Sequence, residues 1–207
     1  MQVSIMSERN SGSHFLKYAL LFNFDIKFVD GNKHWFGHAP LLENTIYICI
    51  IRHPVDWVDS LFKRLHHIPP ENKNIHSFLN NEWYSIYEQG PLKNTEILQD
   101  RNMITKERYK NIFEMRKMKN DYLLQNGYVI KYEDLRDHYE ETLTKIAETF
   151  HFKRKQSYWV PVPKMKGTFN ELYKRKPVLI SQEIQQYVTD KIDLEQEKRI
   201  GYYNGAT

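Results

Sequence analysis

Cysteine is nearly missing. Cys49 is the single one among 207 residues, which excludes a disulfide framework and any zinc site of the CxxC kind. Glycine and proline number 8 each, too few for a linker-rich or collagen-like chain. No run approaches the roughly 18 apolar residues a membrane span requires. The best candidate, Phe15 to Phe24, is broken by Lys17 and Asn23 and followed by Asp25. The amino end, Met-Gln-Val-Ser-Ile-Met, has neither the basic start nor the apolar segment of a secretory signal, so a cytoplasmic placement is expected. Charge of one sign is scarce too. Lys and Arg number 30 against 26 Asp and Glu, a net of +4. That balance does not call for a nucleic acid or a membrane, and it suits a small anionic ligand.

What is present is ordinary for a globular protein: 41% apolar, 27% charged and 14% aromatic residues. The length predicts one domain over 1–207. Cys49 lies in the run Ile46-Tyr47-Ile48-Cys49-Ile50-Ile51 and is expected as a buried core thiol.

The order of elements follows from apolar periodicity. Gln2 to Met6 is a short strand that ends in a polar turn, Ser7 to Ser13. Phe15, Tyr18, Ala19 and Phe22 then share a helical face. Ile26 to Val29 is a second strand, closed by Asp30-Gly31-Asn32. Thr45 to Ile51 is almost wholly apolar, as a central strand covered on both faces should be. Pro54 opens a helix with Trp57, Val58, Leu61, Phe62 and Leu65 on its apolar stripe. Residues 68–100 are polar and Pro- and Asn-rich, and read as a surface excursion with at most short helices. Thr105 to Gln125 returns to a helical pattern. Tyr128 to Tyr132 is a strand, Leu135 to Phe150 an amphipathic helix, and Ser181 caps a last helix. This alternation predicts an α/β fold, a parallel β-sheet flanked by helices, with a helical and irregular insertion over 68–125. In such sheets ligands bind at the carboxyl ends of the strands.

Three turns lie there. In Ser7-Glu8-Arg9-Asn10-Ser11-Gly12-Ser13-His14, Gly12 lets the backbone approach a ligand and the helix start offers N–H groups to an anion. It is not a Walker A loop, because GxxxxGK[ST] is absent. In Arg52-His53-Pro54-Val55-Asp56-Trp57-Val58-Asp59-Ser60, an Arg fork and a hydroxyl are sensible phosphate ligands. The competing role for Arg52 is an ion pair, for instance with Asp56. The third turn runs from Lys33 to Pro40 and holds His34 and His38.

Arg-His-Pro-x-Asp-x-x-x-Ser after a buried strand resembles the 3′-phosphate motif of sulfotransferases that use 3′-phosphoadenosine 5′-phosphosulfate (PAPS). Arg9-Asn10-Ser11-Gly12-Ser13 resembles their 5′-phosphosulfate loop, and Tyr132-Glu133-Asp134-Leu135 their Tyr-Glu-Asp-Leu segment. Leu194 to Glu197 with Gly201-Tyr202 resembles their acidic stretch and closing Gly-Tyr. The resemblance covers roughly residues 2–66 and 127–203, and it implies a P-loop sulfotransferase-like fold related to nucleotide kinases. It also implies that Arg52 and Ser60 hold the 3′-phosphate of PAPS or of 3′,5′-adenosine bisphosphate. Ser11, Gly12, Ser13 and His14 would wrap the 5′-phosphosulfate, and Tyr132 would approach the adenine. A late basic loop, Lys164 to Gly167 with Lys166 in it, would close over the nucleotide, and Phe169 or Trp159 would stack on the base or belong to the core. No metal is implied. The family's loop Lys is replaced here by Asn10, so Arg9 or Lys33 is expected to supply the cation beside the leaving phosphate. The acceptor is a sugar, a tyrosyl peptide or a small alcohol, and its proton would pass to His34 or His38. Glu8 and Asp30 are the next candidates for that base. If the two histidines lie on an extended segment, both rings face one side. The alternatives are a non-catalytic nucleotide- or nucleic-acid-binding module and a small P-loop kinase.

Overall fold

The computed structural model describes residues 1–29, 33–163 and 177–203. Four strands, β1 (Gln2–Met6), β2 (Lys27–Phe28), β3 (Thr45–Ile51) and β4 (Tyr128–Lys131), form one sheet in the order β2-β1-β3-β4. Every pairing is parallel; Ser4 stands beside Tyr47, and Ile50 beside Ile130. The helices are α1 (Ser13–Asn23), α2 (Pro54–Phe62), α3 (Ile75–Asn80), α4 (Ile112–Asn126), α5 (Tyr132–Asp137), α6 (Tyr139–Phe150), α7 (Gln182–Lys191) and α8 (Leu194–Ile200). The expected α/β architecture, a parallel sheet flanked by helices, is what the chain adopts.

Strand pleating sorts the apolar side chains onto two faces. Val3, Ile5, Ile48, Ile50 and Ile130 pack with Leu16 and Leu20 of α1, Leu135 of α5, and Leu143 and Ile146 of α6. Met6, Cys49 and Ile51 belong to the opposite cluster, with Leu123 of α4 and Ile200 of α8. Burial pushes the Cys49 thiol up to about 12, so it is the inert core group the sequence leads one to expect. Gly127 opens β4 directly against that thiol: a Cβ there would overlap Cys49 Sγ and lie 3.0 Å from the Tyr47 carbonyl. Gly127→Ala is therefore expected to cost roughly 1–3 kcal/mol by overpacking. Urea titration should show that loss, and Cys49→Ala in the same chain should recover part of it.

The middle of the chain differs from expectation. Residues 68–100 hold only short helices, a 3-10 turn at Pro70–Asn72, α3, and a 3-10 turn at Leu98–Asp100. They are nevertheless no mere surface excursion, since Ile68, Phe78, Leu79 and Trp83 are buried with Val58, Leu61, Ile112 and Val188 in a core of their own. The helix expected from Thr105 starts at Ile112. Asn102 Oδ1 takes the N–H groups of Ile104 and Thr105 (2.9 and 3.2 Å) into a turn, and Asn111 Oδ1 caps the helix through Phe113 and Glu114 (3.0 Å each). The helix expected over Leu135 to Phe150 is two, parted at His138. Ser181 does cap α7, accepting from Ile184 N–H at 3.3 Å. Among the described residues no helix is long and apolar enough to cross a membrane.

Candidate anion-binding site

β1 leads to β2 on one side and is flanked by β3 on the other, so the strand order reverses between β1 and β3. That switch point, at the carboxyl ends, is where open parallel sheets bind ligands. Three segments meet there: the turn 7–12 after β1, Arg52 after β3, and Tyr132 after β4.

The turn is shaped by two left-handed residues, Asn10 (φ 59°) and Gly12 (φ 97°). Gly12 is required twice over, since any side chain there would be strained by φ and a Cβ would overlap the Tyr132 ring. Ser13 is the first residue of α1. Ser11 and Ser13 are 2% and 5% exposed, and among the described residues neither hydroxyl makes a hydrogen bond. The hydroxyl of buried Ser7 is likewise without a partner. His14 is exposed on the first turn of α1. Tyr132 supports the turn from beneath. At 2% exposure it presents no open ring face, and the Arg52 guanidinium lies 4.7 Å from its centroid.

Arg52 is half-buried. Its Nη1 donates to the Asn10 carbonyl at 3.2 Å, which ties β3 to the first turn. The ion pair expected as the competing role, with Asp56, does not form, and among the described residues Arg52 pairs with no carboxylate. Its buried Nε has no hydrogen-bond partner. The acids nearby are already engaged. Glu197 holds Arg116 by two bonds (2.6 and 2.8 Å), and Arg116 Nη2 donates to the Arg52 carbonyl at 3.0 Å. Glu133 accepts the His53 N–H at 3.1 Å and the Tyr202 hydroxyl at 2.6 Å. The Tyr-Glu-Asp-Leu segment and the late Gly-Tyr thus brace the β3–α2 turn. Ser60 is half-buried on α2, about 9 Å along the helix from Pro54, and no hydrogen bond joins it to Arg52. Its neighbour Asp59 accepts from Leu179 and Ile180 N–H (2.9 and 3.2 Å).

Arg9 sits otherwise than expected of a cation facing a ligand. It is 5% exposed and donates to the His66 carbonyl (3.0 Å), Ser85 Oγ (2.8 Å) and Asp100 Oδ2 (3.2 Å). Glu8 accepts the Arg9 N–H at 2.7 Å and pairs with Lys119 at 2.7 Å, and Lys119 also pairs with Asp100. Burial raises the Glu8 pKa, but Lys119 and Arg9 outweigh it and hold the carboxyl below its usual range. Burial pulls Lys119 down, but Asp100 and Glu8 outweigh it and hold the ammonium charged. None of Ser85, Asp100, Arg116 and Lys119 stands out from spacing alone. One signal was there: Ile112, Arg116, Lys119 and Leu123 fall at i, i+4, i+7 and i+11, so two cations occupy the buried stripe of α4.

The loop that holds His34 and His38 is clamped to the same turn. Lys33 carbonyl accepts the Ser7 N–H at 2.9 Å, and His34 Nδ1 lies 2.8 Å from the Ser7 carbonyl. A carbonyl only accepts, so Nδ1 carries the proton and Nε2 is bare. Burial foremost, then Lys33, Arg9 and Lys119, lowers the His34 pKa to about 3 against the Ser7 bond, which raises it. His38 is held elsewhere, its Nε2 at 3.0 Å from the Arg101 carbonyl, and burial lowers its pKa too. The segment is not extended: it turns at Gly37 (φ 85°), whose Cα lies so close to Met103 that a Cβ would meet Sδ at 2.6 Å. The two rings therefore have different anchors rather than one shared side.

Asp30, Lys164, Lys166, Gly167 and Phe169 lie outside the described residues. Trp159 packs edge-on against buried Phe24 at 5.9 Å, the core role of its two alternatives. A cavity of about 420 Å³ lies at the opposite end of the sheet, lined by Tyr47, Gly127, Tyr128 and Phe150, away from all these groups. In comparisons with known proteins, no family model and no curated protein matches the chain.

Proposed function

We propose that the chain is a PAPS-dependent sulfotransferase that binds its nucleotide across the β1–β3 switch point. The observation that carries the reading is Arg52: a guanidinium at the carboxyl end of the central strand, held by the Asn10 carbonyl and lying against the Tyr132 ring, with no carboxylate partner among the described residues. Buried hydroxyls of Ser11 and Ser13 lie in the turn that Arg52 contacts, at the amino end of α1. The 3′-phosphate would complete the cation, and the 5′-phosphosulfate the hydroxyls. In the transfer itself, the acceptor oxygen bonds to sulfur as the sulfur–phosphate oxygen bond breaks, and the acceptor proton passes to a base. Our candidate for that role is His34, held on the Ser7 carbonyl through Nδ1 with Nε2 unprotonated, though burial makes it a weak base. Of the two cations put forward for the leaving phosphate, Arg9 is held in ion pairs, and the role is proposed for Lys33.

Calorimetric titration tests this directly. We expect 3′,5′-adenosine bisphosphate to bind, and ATP–Mg²⁺ and an oligonucleotide to bind weakly or not at all. Arg52→Ala should weaken the bisphosphate by roughly 10- to 100-fold, the worth of a charged hydrogen-bonded pair, while adenosine 5′-phosphate loses far less. Equal losses for both ligands would count against Arg52 as the 3′-phosphate ligand. Preference for ATP–Mg²⁺ would move the reading to a kinase.

A second reading, nucleotide binding without transfer, is favoured by one observation. Asn10 stands where a Lys is usual, and Arg9 beside it is consumed by Asp100 and Glu8. Bisphosphate binding without sulfuryl turnover, together with activity gained in Asn10→Lys, is the result that would select it.

A further inference from the structure

We propose that Lys119 is a positioning residue for the His34 base: held by Glu8 and Asp100, its ammonium anchors the His34 loop and sets the imidazole on the Ser7 carbonyl with Nε2 bare. Lys119 belongs to α4, near the end of the insertion, 85 residues from the histidine it would serve.

Three contacts with three successive residues make the case. Lys119 Nζ donates to the His34 carbonyl at 3.2 Å. The same ammonium lies 5.7 Å from the ring centroids of both Trp35 and Phe36. Such cation–ring contacts are strongest when desolvated, and Lys119 is 2% exposed. The ammonium is itself immobile. Glu8 Oε2 holds it at 2.7 Å from the β1–α1 turn and Asp100 holds it from the insertion, while Asp100 also takes Arg9 and Ser85. A flexible Lys would gain little by touching a carbonyl; this one has lost its freedom already. The β1–α1 turn, the base loop and the insertion therefore share one fixed charge.

The charged and titratable groups around the imidazole come from every element packed on it. Lys33 is in its own loop, Glu8 and Arg9 in the β1–α1 turn, Lys119 on α4, Asp100 in the insertion. His67 reaches it through Trp35, whose ring lies between the two histidines at 6.2 and 6.1 Å. Glu8, Asp100, Arg9 and Lys119 sum to zero charge. Removing Lys119 alone leaves that cluster at −1, which favours imidazolium. Removing Lys119 together with the Asp100 charge leaves Glu8 against Arg9, still neutral, but with the anchor gone.

The inference rests on His34 as the base, yet its test needs neither nucleotide nor acceptor. A failed bisphosphate titration and a failed Lys119 test are therefore separate events. The experiment is ¹⁵N NMR of the histidine rings in the full chain, with His34 assigned from the spectrum of His34→Asn. In the native protein we expect a single Nδ1–H tautomer at His34 and no protonation between pH 5 and 8. In Lys119→Met/Asp100→Asn, where the cluster stays neutral, we expect a mixture of tautomers because the anchor of the loop is gone. A single Nδ1–H tautomer in that folded variant overturns the proposal. Should the double variant not fold, Lys119→Arg decides. It keeps the charge, but its planar fork cannot replace a compact ammonium between two carboxylates and a carbonyl. Mixed tautomers there support the proposal, and an unchanged single tautomer overturns it.

Discussion

Arg9→Ala is expected to destabilise the protein by about 3–5 kcal/mol, the usual cost of removing one partner from a buried ion pair. The sequence alone suggests a different outcome, slowed turnover at constant nucleotide affinity, because Arg9 adjoins the position where a loop Lys is usual. The structure puts the guanidinium 5% exposed, on Asp100, Ser85 and the His66 carbonyl. Truncation strands Asp100 and Ser85 and leaves the cluster with one cation for two carboxylates. Urea unfolding of Arg9→Ala and Arg52→Ala side by side measures the contrast. Among the described residues Arg52 has no carboxylate to strand; it has a bond to the Asn10 carbonyl and a ring face of Tyr132. Its loss should cost no more than about 1 kcal/mol of stability, the worth of an ordinary hydrogen bond, while weakening the proposed bisphosphate binding by roughly 10- to 100-fold. If Arg9→Ala is as stable as the parent and merely slow, the buried-cluster account is wrong.

That contrast marks where sequence reasoning succeeds and where it stops. The sheet was legible because β1 and β3 are apolar runs bounded by turn residues, and because strand–helix alternation admits few topologies. The β1 turn and Arg52 were legible as neighbours at the carboxyl end of the sheet, the place where a site is sought in a parallel sheet. Local pattern cannot tell a cation that faces a ligand from one that faces a buried carboxylate. Arg9 and Arg52 both follow strands and both look available. What separates them is Asp100, 91 residues from Arg9, in a segment whose polarity reads as surface. The same gap hides Lys119, whose two carboxylates come from the first turn and from the insertion. The insertion looked irregular for a related reason. Its core residues, Phe78, Trp83 and Tyr109, are spaced by turns rather than by a helical or strand period. Loop geometry failed too, since nothing but the left-handed Gly37 reveals that His34 and His38 part company.

Acid should unfold the native chain earlier than His34→Asn. An unfolded imidazole takes its proton near pH 6.5, whereas folded His34 holds out to about 3. Between those values the unfolded chain binds more protons than the folded one, so stability is complete above pH 6.5 and falls as pH drops toward 3. The slope is about 1.4 kcal/mol for each pH unit, or about 2 kcal/mol lost from this group by pH 5. Glu8, held below its usual carboxyl range by Lys119 and Arg9 against the cost of burial, adds a further loss in the same direction below about pH 4.5. His38 and His53 are lowered by burial as well, so the native curve alone does not isolate His34. Asn at position 34 does: its amide N–H can occupy the place of Nδ1–H on the Ser7 carbonyl, and it cannot titrate. Packing against Trp35 will be poorer, so the absolute stability of the variant is not the readout. The readout is the slope of unfolding free energy against pH between 6.5 and 5, from urea titrations at each pH. It should be shallower in His34→Asn by about 1.4 kcal/mol per unit. Parallel slopes would mean that the folded imidazole titrates normally, and with that the Ser7 clamp, the bare Nε2 and the fixed charge of Lys119 would lose their common support.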